Sequence, residues 1–465
     1  MAFTEFYLDY ANGNNLNAGD NTANGLVTVT SGTLSGHTYT ASSGTPFSGV
    51  SVGDFASLYN NFSSTATCIG RVTAVGGSGA SITISSTFKA GGLPSDEDPI
   101  YCRTGGAWKQ PSTLNMANLS TLKNIAGDIP RFNLKNNATY VTTSTAITLG
   151  SVGPYIIEGY TSAPGDGGSF IVQGGTINAS YALVTINTSS THIKNGIFYN
   201  NGSTGSANGI NITGHGNVLT NCVVHDVKGA GINLYENCLA IECETYACNT
   251  SDTSGLAGMI NTSVEEGSTS FIRCISHDNS GSNSHGFKLS YAGTLINCIS
   301  DSNGAAGFHV GGTCHTANFM NCVAHGNTTD GLVLAASVLC SSIIENCIFT
   351  SNGGYGINGS GSQPKSGIVR SCAYHSNTSG RTTGLGGILD SAEVILSGSP
   401  FVAGSTGNFT LNSTSGAGAS CKSLGRGSFS QTQSGYTGIA SVPSIGAVEP
   451  ASASSSSGGS FTYIG

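Results

Sequence analysis

Apolar positions in the middle of the chain come in short runs, each broken by Gly, Ser, Thr or Asn before a helical face could form. Aligned on cysteine, this region reads "VLTNCVVHDV", "LAIECETYAC", "SFIRCISHDN", "TLINCISDSN", "NFMNCVAHGN", "IIENCIFTSN" and "IVRSCAYHSN". The anchors are Cys222, Cys243, Cys274, Cys298, Cys322, Cys347 and Cys372, at steps of 21, 31, 24, 24, 25 and 25 residues. An earlier rung, "HIKNGIFYNN", puts Gly196 in the same slot. The position after the cysteine is apolar in Val223, Ile275, Ile299, Val323, Ile348 and Ala373, and five places after it stand Asn279, Asn303, Asn327, Asn352 and Asn377. A further apolar stretch follows each turn, as in "GINLYEN", "GFKLSYA", "GFHVGGT", "GLVLAAS" and "GYGINGS".

This periodicity predicts an all-β fold, a right-handed parallel β-helix with one coil per repeat and two or three short strands per coil. Stacked coils lie one inter-strand spacing apart, about 4.8 Å, so equivalent residues form columns. The asparagine column is expected to be a ladder of stacked amides at a turn, where Asn also tolerates left-handed backbone. The cysteine column is expected to give small, reduced thiols to a narrow interior. Disulfides between rungs are the sharper alternative, which parallel in-register side chains fit poorly.

Residues 1–110 read differently. "GLVTVTSG", "CIGRVTAVGG" and "ASITISSTFKAG" alternate as strands of a small N-terminal β domain that ends near Trp108. Residues 111–139 form a linker holding the one helical pattern, Ser112 to Gly127, with Leu119, Leu122 and Ile125 at three-residue steps; it is expected to cap the open end of the coils. The β-helix is placed at 140–450, and 451–465 reads as a Ser/Gly-rich tail.

Composition sharpens this picture. Charged residues make up 9 %, against roughly 25 % in ordinary soluble domains, while Gly contributes 68 residues and Pro 11. With a net charge of −8 and recurrent aliphatic runs, disorder is a poor fit, and the glycines keep no collagen period. Sixteen Lys and Arg against 24 Asp and Glu, unclustered, argue against nucleic acid as a partner. No apolar run approaches the roughly 18 residues of a membrane span, so no membrane insertion is expected. The start, "MAFTEFYLDYANGNN", lacks the basic and apolar regions of a signal peptide, which implies residence in the cytoplasm or release by another route. Fourteen cysteines show no zinc-type spacing.

The "NC-x-h-x-x-N" rungs, "IIEGYTSAPGDGG" and the closing "SIGAVE" resemble the pectin-lyase-like superfamily of right-handed parallel β-helices, over roughly residues 130–450. That family includes polysaccharide lyases, glycoside hydrolases, and tailspikes, fibres and decoration proteins of bacteriophages. The front segment, "FSGVSVGDFASLY" through "GGAWKQP", is similar to the N-terminal regions of phage-type members. The resemblance implies a virion protein assembled in the host cytoplasm, with other virion proteins as partners and a homo-oligomer, a trimer in many phage rods.

Candidate chemistry is sparse. The hydrolase pattern of the family is matched only by Gly214-His215-Gly216, without the carboxylate pair before it, so it reads as a turn. The enlarged coil "CNTSDTSGLAGMINTSVEEG" accounts for the 31-residue step and carries Asp252, Glu265 and Glu266 as weak catalytic candidates, although adjacent strand glutamates face opposite ways. Three places after the cysteine stand His225, His277, Asp301, His325 and His375, interrupted by Tyr246 and Thr350. In register, His277, Asp301 and His325 would occupy consecutive rungs within reach of one ligand or metal; the plainer alternative is a solvated outer strand face. "DYANGNNLNAGDN", Asp9 to Asn21, lacks EF-hand spacing and reads as a turn cluster. No metal or cofactor is expected. The leading expectation is a non-enzymatic virion rod (spike, fibre or capsid decoration) contacting a host surface or glycan, with a lyase or hydrolase that degrades polysaccharide as the alternative.

Overall fold

The computed structural model describes residues 3–8, 27–29, 32–52, 54–60, 68–84, 100–104, 129–136, 139–142, 147–149, 154–174, 181–200, 207–253, 256–262, 267–335, 340–359, 365–386, 388–422 and 446. The sequence-predicted capping helix, Trp108, the Asp9–Asn21 cluster and the C-terminal tail lie outside them. The chain divides into two compact units, residues 1–175 with 183–198, and residues 176–182 with 199–465.

In the first unit, an antiparallel sheet runs in the order Val27–Val29, Ile100–Thr104, Phe55–Asn60, Cys68–Gly76, Ser81–Ile84, Thr38–Ala41, Gly32–Ser35. Alternation of β-branched and polar residues buries one face, with Leu34, Tyr39, Phe47, Ala56, Leu58, Val72 and Ile82 as its core. The first strand, Phe3–Leu8, instead pairs in parallel with Ile129–Lys135, which pairs in turn with Ile156–Tyr160. In sequence, therefore, the antiparallel sheet lies between two strands of a parallel stack.

The second unit is a parallel β-solenoid with three faces. The first face stacks strands from Val218–Thr220 to Ile388–Ser391, the second from Val223–His225 to Val394–Ile395, and the third from Ile210–Ile212 to Gly380–Thr383. Register is exact in type as well as position: Leu295 pairs with Phe319, Ile299 with Val323, and Phe308 with Leu332. Leu219, Phe271, Leu295, Phe319 and Ile344 fill the interior from the first face, and Phe287, Phe308 and Leu332 from the third. Burying each such side chain stabilises by about 1.5–3 kcal/mol.

Two sharp bends bracket the second-face strand, and each uses left-handed backbone. One falls just before the cysteine, at Asn221, Glu242, Arg273, Asn297, Asn321, Asn346 and Ser371; the other falls four places after it, at Asp226, Ala247, Asp278, Ser302, Gly326, Ser351 and Ser376. Short polar side chains tolerate this conformation best, which is why the first bend so often carries Asn. The expectation that the ladder asparagines themselves adopt it is corrected here: Asn279, Asn303, Asn327, Asn352 and Asn377 have negative φ.

What the ladder does is satisfy the turn. Each Nδ2 donates to the Oδ1 of the next coil: Asn279 to Asn303 at 2.7 Å, Asn303 to Asn327 at 2.9 Å, Asn327 to Asn352 at 3.0 Å and Asn352 to Asn377 at 2.8 Å. The same oxygens accept the backbone N–H of the coil before, and the second amide hydrogen reaches a backbone carbonyl, as from Asn303 to Ser276 at 3.1 Å. One coil earlier Cys248 occupies the ladder position, and its backbone N–H donates to Asn279 Oδ1 at 2.8 Å. Glycine must follow, because a Cβ at Gly307 would sit 2.7 Å from Asn327 Nδ2 and 2.8 Å from the Gly331 carbonyl.

Cys222, Cys274, Cys298, Cys322, Cys347 and Cys372 are free thiols buried at the first of the two bends. Each donates weakly to carbonyls of the first face, as Cys298 Sγ does to Phe271 O at 3.3 Å. Burial pushes the Cys298 and Cys347 thiols well up. Because all six are buried, labelling with a thiol reagent should leave them unmodified in the native protein and modify them on unfolding; modification of the folded chain would contradict the packing. Replacing Asn303 with Ala leaves several buried partners unpaired at about 1–3 kcal/mol each. Chemical denaturation should then show a loss of about 3 kcal/mol or more.

Candidate functional site

On the second face the middle residue of each strand points inward, and the residues one and three places after the cysteine point outward. The outermost column begins with four rings. Tyr199 stacks on His225 with centroids 4.9 Å apart and planes 3° from parallel, His225 on Tyr246 at 4.6 Å and 4°, and Tyr246 on His277 at 5.2 Å and 20°. Coil stacking alone forces this contact, since the inter-strand spacing is close to a ring-stacking distance.

Carboxylates line the same column. His225 Nδ1 meets Asp226 Oδ2 at 2.7 Å, while His277 is held between Glu244 Oε1 at 3.0 Å and Asp278 Oδ2 at 2.7 Å. Burial alone would lower the His277 pKa, but the bonds to Glu244 and Asp278 outweigh it and hold the ring above its ordinary range. Burial and then the charges of Glu244 and Asp226 raise the Tyr246 phenol. The rings are half-buried or buried, whereas Asp226 and Asp278 keep 60 % and 54 % of their side chains in solvent. This rim can exchange hydrogen bonds with a hydroxyl-rich ligand.

Further along the column the surroundings change. His325 Nδ1 bonds Asp301 Oδ1 at 2.7 Å, and the ring meets Phe401 and Phe409 edge-on. Those phenylalanines belong to a hairpin, Phe401–Ala403 with Asn408–Leu411, that packs with Leu396 and Cys421 on the outward side chains of Ile275, Ile299, Val323, Ile348 and Ala373. The apolar column from Ile275 to Ala373 is thus an outer surface covered by the chain's own later segment. Asp301 is 2 % exposed and His277 3 %, so the expected solvated strand face is corrected: this part is sealed.

His277, Asp301 and His325 do occupy consecutive rungs in register. They do not converge, because His277 bonds Glu244 and Asp278 while Asp301 bonds His325. Among the described residues, no group of three or more His, Cys, Asp or Glu side chains is placed to hold a metal ion. Asp252 accepts the Asn283 N–H at 2.7 Å and the Ser282 hydroxyl at 2.8 Å, tying the enlarged coil to its neighbour; those bonds hold its pKa down. Glu265 and Glu266 lie outside the described residues. His215 in the Gly-His-Gly turn meets Glu236 Oε2 at 3.1 Å. Glu236 was missed from the sequence, although the 21-residue step sets "YENC" directly after "GHGN" in the stack.

His277 also sets a pH prediction. Its folded pKa is raised, so its stabilising contribution is complete below the unfolded value near 6.5 and is lost as pH rises through the folded value. His277→Gln should therefore cost more stability at pH 6 than at pH 9 in denaturant titrations; a cost that grows with pH would contradict the two carboxylate bonds.

No protein-family model matches the chain, and no curated protein aligns with it. Among solved structures, pectate lyase Pel9A is similar with a TM-score of 0.50 at 17 % identity, covering 71 % of this chain and 90 % of that one. An alginate lyase from Paenibacillus matches at TM-score 0.31 and 12 % identity over 61 % of this chain and 97 % of that one. The tailspike of Pseudomonas phage phi297 matches at 0.26 and 12 % over 76 % and 57 %. At such identities the likeness concerns architecture. The three-faced parallel stack, with its coil-by-coil register, is a parallel β-solenoid, and that architecture is what it shares with pectate lyase Pel9A.

Proposed function

We propose that this protein is a β-helical rod of a bacteriophage particle, serving as spike, fibre or decoration, that holds a surface glycan along its second face without cutting it. The observation that carries the reading is the half-buried column Tyr199, His225 and Tyr246, ending on the buried His277, with its rim of Asp226, Glu244 and Asp278. An extended polymer laid along these coils meets a phenol, a ring nitrogen or a carboxylate at successive rungs, so individually weak contacts add up. Membership of a particle rests on the front segment's resemblance to phage-type proteins, and on a stiff, weakly charged rod suited to display. Self-association into a trimer belongs to the same reading.

A second reading, cleavage of the polymer, has one observation in its favour. Burial lowers the pKa of Lys288 on the third face, and an amine that loses its proton more easily suits a general base. Among the described residues, the second-face carboxylates Asp226, Glu244, Asp278 and Asp301 are bonded to histidines rather than set as the opposed pair that glycoside hydrolysis uses.

Incubating the purified chain with a panel of acidic and neutral polysaccharides separates the two. Retention of at least one glycan is expected with no new reducing ends or unsaturated products, and the double variant Tyr246→Ala, Glu244→Ala should weaken retention at least tenfold. Sustained turnover that Lys288→Ala abolishes would replace the binding reading with the enzymatic one.

A further inference from the structure

The outer side of the first face carries two columns of outward side chains. In one, Ile241, Ile272, Ile296 and Met320 follow each other coil by coil in register. In the other, two residues earlier on each strand, stand Leu239, Ser270, Thr294, Asn318, Ile343 and Ile368. Val218 precedes Leu239 in that second column. These side chains are half-buried or, at Ile343, 38 % exposed, whereas the outward column of the second face lies at 8 % or less beneath its hairpin. The chain thus covers one apolar column and leaves the other in contact with solvent.

We infer that the first face is a contact between two copies of this chain, packed face to face with their coil axes antiparallel about a two-fold axis at the coil of Thr294 and Ile296. The order of the side chains supplies the reason. A two-fold contact sets one patch against itself, so that residue i meets j and j meets i. With the axis along the strand direction, coils count outward equally on the two copies. Ile343 then lies over Leu239 and Ile368 over Val218, apolar on apolar, while Asn318 meets Ser270 and Thr294 meets its own counterpart. In the neighbouring column Met320 covers Ile272, and Ile296 covers Ile296.

A parallel pairing lacks this match. With the axis along the coils the two columns exchange, and Ile272, Ile296 and Met320 fall on Ser270, Thr294 and Asn318. Hydroxyls and an amide would then be buried against side chains that cannot bond them.

Charge agrees with the antiparallel arrangement. An ion pair between neighbouring coils stands toward either end of the apolar stretch, Arg273 with Glu242 at 2.8 Å and Arg370 with Glu345 at 2.9 Å. Antiparallel packing brings the first pair of one copy beside the second pair of the other, with Arg273 within one coil of Glu345 and Glu242 within one coil of Arg370. Glu345 is 7 % exposed, and its Oε1 has no hydrogen-bond partner within the chain. Buried carboxylate oxygens are ordinarily bonded, and Arg273 of the second copy supplies a donor there.

A trimer on a three-fold axis uses two different surfaces of each copy, so this contact is separate from the one in the rod reading and does not rest on it. It also lies on a different face from the column of rings.

Light scattering of the full chain should give an even number of chains. Ile296→Lys, which sets two like charges at the axis, should weaken association at least a hundredfold while circular dichroism stays that of the native chain. Single cysteines with a short bismaleimide, compared with the unsubstituted chain, read the direction. Thr294→Cys should link to its own counterpart; Leu239→Cys should link to Ile343→Cys in a mixture and not to itself. A monomer, a trimer, or Leu239→Cys linked to itself would overturn the inference. Glycan retention by a chain that proves monomeric would leave the rod reading standing and this one fallen.

Discussion

Everything in the second unit depends on coils lying in register, and the interaction that holds that register at the tightest turn is the amide ladder from Asn279 to Asn377. A turn inside a solenoid is awkward because its backbone donors point along the axis, away from water. Each ladder oxygen takes two of them, one from a side chain and one from the main chain of the coil before. A slip by one residue would leave those donors buried and unpaired, at a cost comparable to the stability of a whole domain once several rungs are counted. Register, once fixed, dictates the rest: thiols stack on thiols, rings on rings, and an acid of one coil beside a histidine of the next.

The outer chemistry follows as a consequence. Side chains that would be independent on an ordinary surface are brought about one inter-strand spacing apart. Thus Tyr199, His225, Tyr246 and His277 become one stack, and His285, Lys288 and His309 one cluster. The first is rimmed by Asp226, Glu244 and Asp278, each bonded to a histidine of the stack. A surface built this way is ordered by the stack itself, without any loop having to order on contact.

Much of this was legible in the residues. The cysteine spacing located the coils, and the asparagine five places on located the ladder, because a period of one coil leaves few other architectures. The two asparagines of "NC-x-h-x-x-N" were harder to separate. Spacing shows that both recur, but only backbone angles show that Asn297, Asn321 and Asn346 take the left-handed bend while Asn303, Asn327 and Asn352 do not. The apolar column at Ile275, Ile299 and Val323 could be seen but not explained, since its cover, Phe401 to Leu411, lies far downstream and outside the repeat. Contacts between coils of unequal length, such as His215 with Glu236, escape alignment on a fixed period for the same reason.

Amide hydrogen exchange in the native state reads the ladder itself. Backbone N–H groups in turns ordinarily exchange quickly, but those of Asn279, Asn303, Asn327 and Asn352 donate to the amide oxygen of the following coil. These four should be protected to the level of the strand residues around them, and should lose protection together. Exchange at the rate of open turns, with the strands still protected, would mean that something other than stacked asparagine holds the coils in line.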